Sequence, residues 1–327
     1  MNRISYTRAA DVNNALHQLS TNQNSKFIAG GTNLLDLMKI DVMSPDHLID
    51  INGIGCSTID VEEDGGLRLG ALVTNADTAY HEQVTSRYPL LSEAMLSAAS
   101  AQLRNMATNG GNLMQRTRCY YFYDTTTACN KREPGSGCAA LNGYNRMHAI
   151  LGSSEHCIAV HPSDMAVALT ALDAVVCVSG LNGEREIPIT SFYRVPGDEP
   201  QIDNTLASDE IITSIKLPPS NFSKHYTYLK LRDRPSYAFA LVSVAVALEL
   251  HAEKIVKVSI ALGGVAHKPW RMPEAEQMLE GKPATTEHFS AAATVLLSGA
   301  VGQGHNDFKI ELAKRAIIRA LEQAVNK

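Results

Sequence analysis

The chain has 327 residues, 45% of them apolar and 19% charged, an ordinary composition for a folded globular protein of two or three domains. Its formal net charge of −5 argues against a broad nucleic-acid footprint. Its longest apolar stretch, residues 238–248, is too short to span a bilayer and contains Ser243, and the first residues lack the apolar core of a secretory signal.

Residues 4–9 read as a short strand, and Asp11 as the cap of a helix carrying Val12, Ala15, Leu16 and Leu19 at helical spacing. Residues 26–29 read as a strand running into Gly30-Gly31. Thr32 or Asn33 then caps a helix bearing Leu34, Leu35, Leu37 and Met38, and residues 47–51 form another strand. This alternation favours an α/β unit at the start of the chain. From Gly65 the pattern changes. Residues 67–71 read as a strand, with helices from about 75 and over 89–104, then a turn rich in glycine and asparagine at 108–112. Residues 115–160 have weak periodicity, four consecutive aromatics from Tyr120 to Tyr123, and the run Pro134-Gly135-Ser136-Gly137. They read as a long loop, and loops of that length are uncommon unless they serve a function.

Ser163 or Asp164 caps an apolar helix running to about 172. Residues 174–178 and 184–189 read as a hairpin around Asn182-Gly183. A strand over 211–217 ends in Pro218-Pro219, which marks a domain boundary. Beyond it, strands over 226–231, 239–250 and 255–262 precede helices over 272–280, 286–298 and 308–325, the order of a two-layer α+β domain.

Two glycine turns carry chemistry. At each, backbone N–H groups near a helix start attract anions, and glycine lets a phosphate approach the chain. Lys26 to Leu35 spans the first, and Ala107 to Leu113 the second. Each has the plain reading of a tight turn without a ligand. Neither spacing is that of the dinucleotide G-x-G-x-x-G fingerprint or of a Walker P-loop.

Four of the six cysteines, Cys119, Cys129, Cys138 and Cys157, fall in the long loop with spacing C-x9-C-x8-C-x18-C. Thiolates select zinc or iron–sulfur clusters, and zinc sites usually include a short C-x2–4-C knuckle, which is missing here. Spacing alone leaves three readings open: an iron–sulfur cluster, a zinc ion or unliganded cysteines. Lys131 and Arg132 either offset a cluster's negative charge or form a solvated surface pair. His161 is either an extra ligand or a polar residue that positions the loop. Arg104, Arg116 and Arg118 make the region basic.

Together these stretches resemble one family across nearly the whole chain. Phe27-Ile28-Ala29-Gly30-Gly31-Thr32-Asn33-Leu34 resembles the first FAD pyrophosphate loop of the xanthine dehydrogenase and carbon monoxide dehydrogenase medium subunits. Thr108-Asn109-Gly110-Gly111-Asn112-Leu113 resembles their second FAD loop. Ser163-Asp164 before an apolar helix is similar to the family's S-D motif near the flavin. The run from Ser259 to Ala266 is similar to a strand and glycine pair of their C-terminal domain.

The resemblance implies an α+β fold: a two-subdomain FAD-binding domain of the vanillyl-alcohol-oxidase-like type, then a small α+β domain of the carbon monoxide dehydrogenase flavoprotein type. The first would cover residues 1–219, with subdomains of about 1–55 and 56–219 and an iron–sulfur loop at 115–160; the second would cover 220–327. It also implies that Lys26, Phe27, Ile28, Ala29, Gly30, Gly31, Thr32, Asn33 and Leu34 surround the FAD pyrophosphate. Thr108, Gly111 and Asn112 would contact the cofactor from the second loop. Asp164 would bond its ribityl or adenosine portion, and Ile212 and Lys230 would flank the flavin.

The sequence departs from the plain family pattern between Asn112 and Ser163, where the cysteine loop is inserted. That departure resembles two branches whose flavin subunit carries an extra [4Fe-4S] cluster, the hydroxybenzoyl-CoA reductase type and the periplasmic aldehyde oxidoreductase type. The stretches 115–124, 129–132, 134–140 and 232–240 are more similar to the second. The resemblance then makes Cys119, Cys129, Cys138 and Cys157 the cluster ligands. It implies an electron-transfer subunit of a molybdenum-dependent aldehyde oxidoreductase with no catalytic residue of its own. Its partners would be a large molybdenum-cofactor subunit, a small subunit with two [2Fe-2S] clusters and an external electron acceptor, with neither nucleic acid nor membrane insertion involved. The alternatives are the flavin subunit of an acyl-CoA reductase, a free-standing flavin oxidase and a zinc-stabilised binding module. With no signal on this chain, the expected compartment is the periplasm by co-export with a signal-bearing partner, the alternative being the cytoplasm.

Overall fold

A computed structural model of the chain describes residues 3–22, 24–220 and 222–327, which include every candidate site residue named above. The Asp11 carboxylate accepts from Asn14 N at 2.7 Å and starts the helix Val12–Thr21, which buries Ala15 and Leu16. This helix and Leu34–Lys39 connect three parallel strands, β1 (Ser5–Arg8), β2 (Ser25–Ile28) and β3 (His47–Asp50), in the order β1-β3-β2. Parallel neighbours need such crossovers, so the α/β reading of this segment holds.

The second sheet is antiparallel. It contains β4 (Ile59–Val61), β5 (Leu67–Gly70), β6 (Val175–Gly180), β7 (Gly183–Pro188) and β8 (Glu210–Leu217), in the order β4-β5-β8-β6-β7. The expected hairpin is β6–β7, closing with Gly180 opposite Gly183. The third sheet, β9 (His225–Leu231), β10 (Val242–His251) and β11 (Lys254–Gly263), runs in the order β11-β10-β9 and is covered by Pro273–Gln277, Thr286–Leu296 and Phe308–Val325.

Alternation along β10 explains how the third sheet joins the rest. Val242, Val244, Val246 and Leu248 face the C-terminal helices, while Ala245 and Ala247 belong to the core of the central sheet. The small residues let the helix Asp164–Ala171, buried at all eight positions, lie against the sheet. Contact is close enough that a Cβ on Gly263 would stand 2.6 Å from Val167 Cγ2, and Ser259 Oγ donates to Ala171 O at 2.6 Å.

The structure differs from the sequence reading in a few places. The helix expected over 89–104 is two, Pro89–Ser97 and Ala101–Arg104, broken where Ala99 takes a left-handed φ of 48°. Strand β10 starts at Val242 rather than 239, because the chain before it turns through Tyr237 with φ 50°. The stretch expected as a glycine turn at 108–112 is itself the start of a short helix, Asn109–Leu113, capped by Thr108. The helix expected over 272–280 is limited to Pro273–Gln277. Among the described residues, no helix is long and apolar enough to cross a membrane.

Candidate functional site

The two glycine turns meet. A Cβ on Gly30 would lie 1.8 Å from the Met106 carbonyl oxygen, so only glycine permits this approach. Gly31 has φ +69°, a conformation that L side chains avoid. The second turn is anchored by Asn109, which is fully buried and donates to Gly70 O at 3.2 Å and Thr78 Oγ1 at 2.9 Å. Thr108 Oγ1 accepts from Gly111 N at 3.2 Å. Asn112 ties the turn to its surroundings, donating to Asn75 Oδ1 at 2.7 Å and accepting from Ser163 Oγ at 2.6 Å.

A cleft of about 220 Å³ opens between these turns and β9. Thr32, Asn33, Gly111 and Asn112 line one part; Arg104, Arg118, Asp164 and Lys230 line another. Asn33 Oδ1 accepts from Arg116 N at 2.9 Å, while Asn33 Nδ2, Arg104 Nε and Arg118 Nε are buried donors without a partner. Unpaired buried donors are costly, and three around one cleft fit an anionic guest with several acceptor oxygens. A diphosphate is such a guest. The cleft continues into a larger cavity of about 490 Å³ with mostly apolar walls, and Arg118, Pro162, Ser163, Asp164 and Phe239 border both. A polar channel opening into an apolar chamber suits a cofactor with a charged linker and a planar ring.

Asp164 sits where the two spaces join. Lys230 Nζ donates to its Oδ2 at 2.7 Å and Tyr228 Oη to its Oδ1 at 2.6 Å. Both members of the ion pair are nearly shut from solvent, with side-chain exposures of 4% and 6%. Lys230 also donates to Ser97 O at 3.2 Å, at the helix break near Ala98 and Ala99, which themselves line the cleft. Burial, and then the neighbouring Asp164 charge, push the Tyr228 phenol well above its usual pKa, so it stays protonated as a donor.

The candidate residues are distributed unevenly around this space. Thr32, Asn33, Gly111, Asn112, Asp164 and Lys230 line the cleft. Gly30 and Gly31 form the turn, and Thr108 supports the second turn from behind. Lys26, Phe27 and Ile28 are in β2 leading to the turn, with Phe27 and Ala29 packed on the small core of the first sheet. Leu34 opens the following helix. Ile212 is buried in β8 within the central core.

The cysteine loop is a second centre. Between 114 and 163 its one helical element is Tyr120–Tyr123, and isolated bridges pair Cys129 with Cys138 and Ser154 with Cys157. Cys119 Sγ is 3.0 Å from His148 Nε2. Burial pushes the Cys119 thiol up to about 12 and the Cys157 thiol up to about 11. Cys129 and Cys157 push the Cys119 thiol further up, and Cys138 and Cys129 the Cys157 thiol, so the four cysteines share one neighbourhood. Among the described residues, no three of them with His, Asp or Glu are set to ligate a single metal ion.

Side chains rather than secondary structure fix this loop. Lys309, fully buried, donates to His148 O at 2.8 Å and Gly264 O at 2.6 Å. Asn306 Nδ2 donates to His148 O and Ala149 O, both at 3.1 Å. Burial pulls His148 down to about 4, assisted by the Lys309 charge, and burial alone leads in pulling His161 down to about 3. Neutral His161 packs 4.3 Å from the Tyr193 ring, with its Nε2 buried and unpartnered.

Comparison with known proteins decides the family. Residues 2–220 match the family model described as the FAD binding domain in molybdopterin dehydrogenase, and residues 225–324 the carbon monoxide dehydrogenase flavoprotein C-terminal domain. The chain belongs to the FAD-binding medium subunits of the molybdenum hydroxylases. It is 52% identical over 301 residues to the aldehyde oxidoreductase FAD-binding subunit PaoB of Escherichia coli K12, covering 92% of this chain and 91% of that one. It is 29% identical over 279 residues to the glyceraldehyde dehydrogenase medium chain of Sulfolobus acidocaldarius, covering 85% and 82%. A solved carbon monoxide dehydrogenase from Hydrogenophaga pseudoflava superposes with a TM-score of 0.78 at 26% identity, over 99% of this chain and 98% of that one. The expected two-part α+β flavoprotein architecture is therefore present.

In this FAD-binding subunit, several functional side chains carry little local signal. Asn75, Asn109 and Ser243 are ordinary polar residues in sequence, and each acquires a role only through partners on other elements. Tyr228 is within reach of sequence reasoning: it lies two positions from Lys230 on β9, so both side chains leave the same face and reach Asp164. Arg116 does not line the cleft. It pairs with Asp203 at 2.7 Å, under the cysteine loop.

Proposed function

We propose that this chain is the FAD- and [4Fe-4S]-carrying electron-transfer subunit of a molybdenum-dependent aldehyde oxidoreductase. In this reading it works beside a large molybdenum-cofactor subunit and a small subunit with two [2Fe-2S] clusters, and delivers electrons to an external acceptor. The observation that carries the reading is the junction at Arg118 and Cys119, where a cleft fitted for FAD borders a loop holding four mutually interacting thiols. The similarity to an aldehyde oxidoreductase FAD-binding subunit supports the substrate class.

The chain's own residues bind and orient. Gly30, Gly31 and Gly111 let the backbone approach the diphosphate, and Asn33, Arg104 and Arg118 offer it donors. Lys230 and Tyr228 hold Asp164 in one orientation, so its free acceptor capacity faces the cleft. FAD, when bound, supplies exchange of electrons singly or in pairs.

Three long separate spacings among the four cysteines, with no C-x2–4-C knuckle, favour a polynuclear cluster over zinc. Each thiolate on a cluster binds a different iron, so the sulfurs stand farther apart than around a single ion. The proposed compartment is the periplasm, reached with a signal-bearing partner; fractionation of the assembled complex tests it, and a purely cytoplasmic complex refutes it.

The decisive experiment is anaerobic purification of the chain with flavin, iron and zinc assays and a visible spectrum on one sample. The expected result is bound flavin, broad iron–sulfur absorption and about four irons per chain. A colourless protein with about one zinc refutes both cofactors. Flavin without iron retains the FAD role and refutes the cluster.

A further inference from the structure

Under the cysteine loop lies a buried cation whose carboxylate partner is shared with a second cation. Lys131 follows Cys129 by two positions, and its side chain is 1% exposed. Its ammonium donates to Pro200 O at 2.6 Å, Asp203 Oδ1 at 2.5 Å and His267 Nε2 at 2.8 Å. An ammonium has no acceptor, so His267 accepts at Nε2 and is neutral, with its proton on Nδ1. Asp203 is shared: Arg116 Nε donates to its Oδ2 at 2.7 Å. Burial alone would raise the Asp203 carboxyl, but the two cations that donate to it, Lys131 and Arg116, hold it well below the usual range, so it is ionised.

Among the described residues, the ion pairs of Lys131 and Arg116 both end on Asp203. Asp203 is thus divided between two cations: Arg116, 21% exposed and 4.8 Å over the Phe122 ring, keeps access to water, while Lys131, 1% exposed, has its charge only partly offset, which a nearby anion would complete. Neutral thiols do not supply that anion. Four thiolates around an iron–sulfur group do, and its negative charge grows by one with each electron gained. Asn130 Nδ2 donates to His156 O at 3.1 Å, which sets the chain at Lys131 beside Cys157, on whose thiol the Lys131 charge acts. The neighbouring cation, Arg132, is engaged elsewhere, donating to the carbonyls of Tyr121, Phe122 and Thr127 and bracing the backbone.

We infer that Lys131 is the positioned charge that sets the reduction potential of the group held by Cys119, Cys129, Cys138 and Cys157, and that Asp203 limits how much of that charge the group feels. The inference rests on the cluster reading above. A fixed cation in a low-dielectric site favours the state with one more electron and so raises the potential.

The test is a dithionite titration of the anaerobically purified chain, following the reduced cluster by electron paramagnetic resonance. Lys131→Met is expected to move the midpoint to a more negative value, and Lys131→Arg to restore most of it. Asp203→Asn is expected to move it the opposite way, because it removes the charge that screens Lys131. A merely structural role gives no such opposition of sign. Should Lys131→Met lose its iron, Asp203→Asn alone carries the test. Unchanged midpoints, or shifts of both variants in one direction, overturn the inference. A wild-type chain without iron refutes the cluster reading itself, and this inference with it.

Discussion

The flavin cleft and the cysteine loop touch at Arg118 and Cys119, yet they are held by opposite means. The cleft is shaped by backbone: glycines at closest approach, capped helix starts, and an asparagine network that pins one turn against a strand. The loop has almost no regular structure and is held by long side chains, above all Lys309, which reaches in from the C-terminal helix, and Lys131, which reaches out of the loop to Pro200 and Asp203. A site made by backbone is already formed when its cofactor arrives. In the proposed reading, a site made by buried charges is balanced only once its cluster is there.

Three substitutions test that division. The largest effect is expected for Gly30→Ala. Its methyl group meets a carbonyl oxygen on the second turn, where no side chain can give way, so the loss of stability is about 3 kcal/mol or more. Flavin content and thermal unfolding measure it. FAD should be lost while iron in the cysteine loop is retained; simultaneous loss of both would break the separation of the two sites.

Lys309→Met should act in the opposite sense. It removes two hydrogen bonds made by a buried amine that burial pulls down to about 7, worth together about 2–3 kcal/mol, and takes this donor from Gly264 O, while His148 O keeps Asn306. Limited proteolysis should then cut between residues 115 and 160 while flavin remains bound. Loss of flavin before the loop is cut would show that the loop supports the cleft.

The smallest effect concerns acid. Burial holds His161 down to about 3 in the folded chain, against about 6.5 when unfolded. As pH falls below about 6.5 the unfolded state takes up a proton first, so stability declines down to about pH 3 and is then level. His161→Phe keeps the ring against Tyr193 and removes this titration. Its stability curve should be shallower over that window by up to about one proton. Parallel curves for the two proteins would show that His161 does not titrate as its burial demands.

How much of this is legible in sequence follows the same division. The glycine turns, the hairpin at Asn182-Gly183 and the C-terminal order of strands and helices are written in local pattern, and they stand in the fold. The irregular character of 115–160 is equally plain from its weak periodicity. Contacts between distant positions are what local pattern cannot reveal. Lys309 looks like one more surface cation on an amphipathic helix, but its partner His148 is 161 residues away. Asp203 looks like a loop residue, yet it collects Arg116 and Lys131. The break at Ala99 is also invisible, because nothing in its local sequence demands a left-handed residue, whereas the cleft wall does.

The distance between Lys309 and His148 also bears on the order of assembly. The cysteines are made early and the lysine that locks them late, separated by 161 residues of synthesis. At ordinary translation rates that interval is on the order of ten to thirty seconds. Until the helix Phe308–Val325 docks, the loop lacks the two hydrogen bonds that Lys309 brings to it and to its neighbour Gly264.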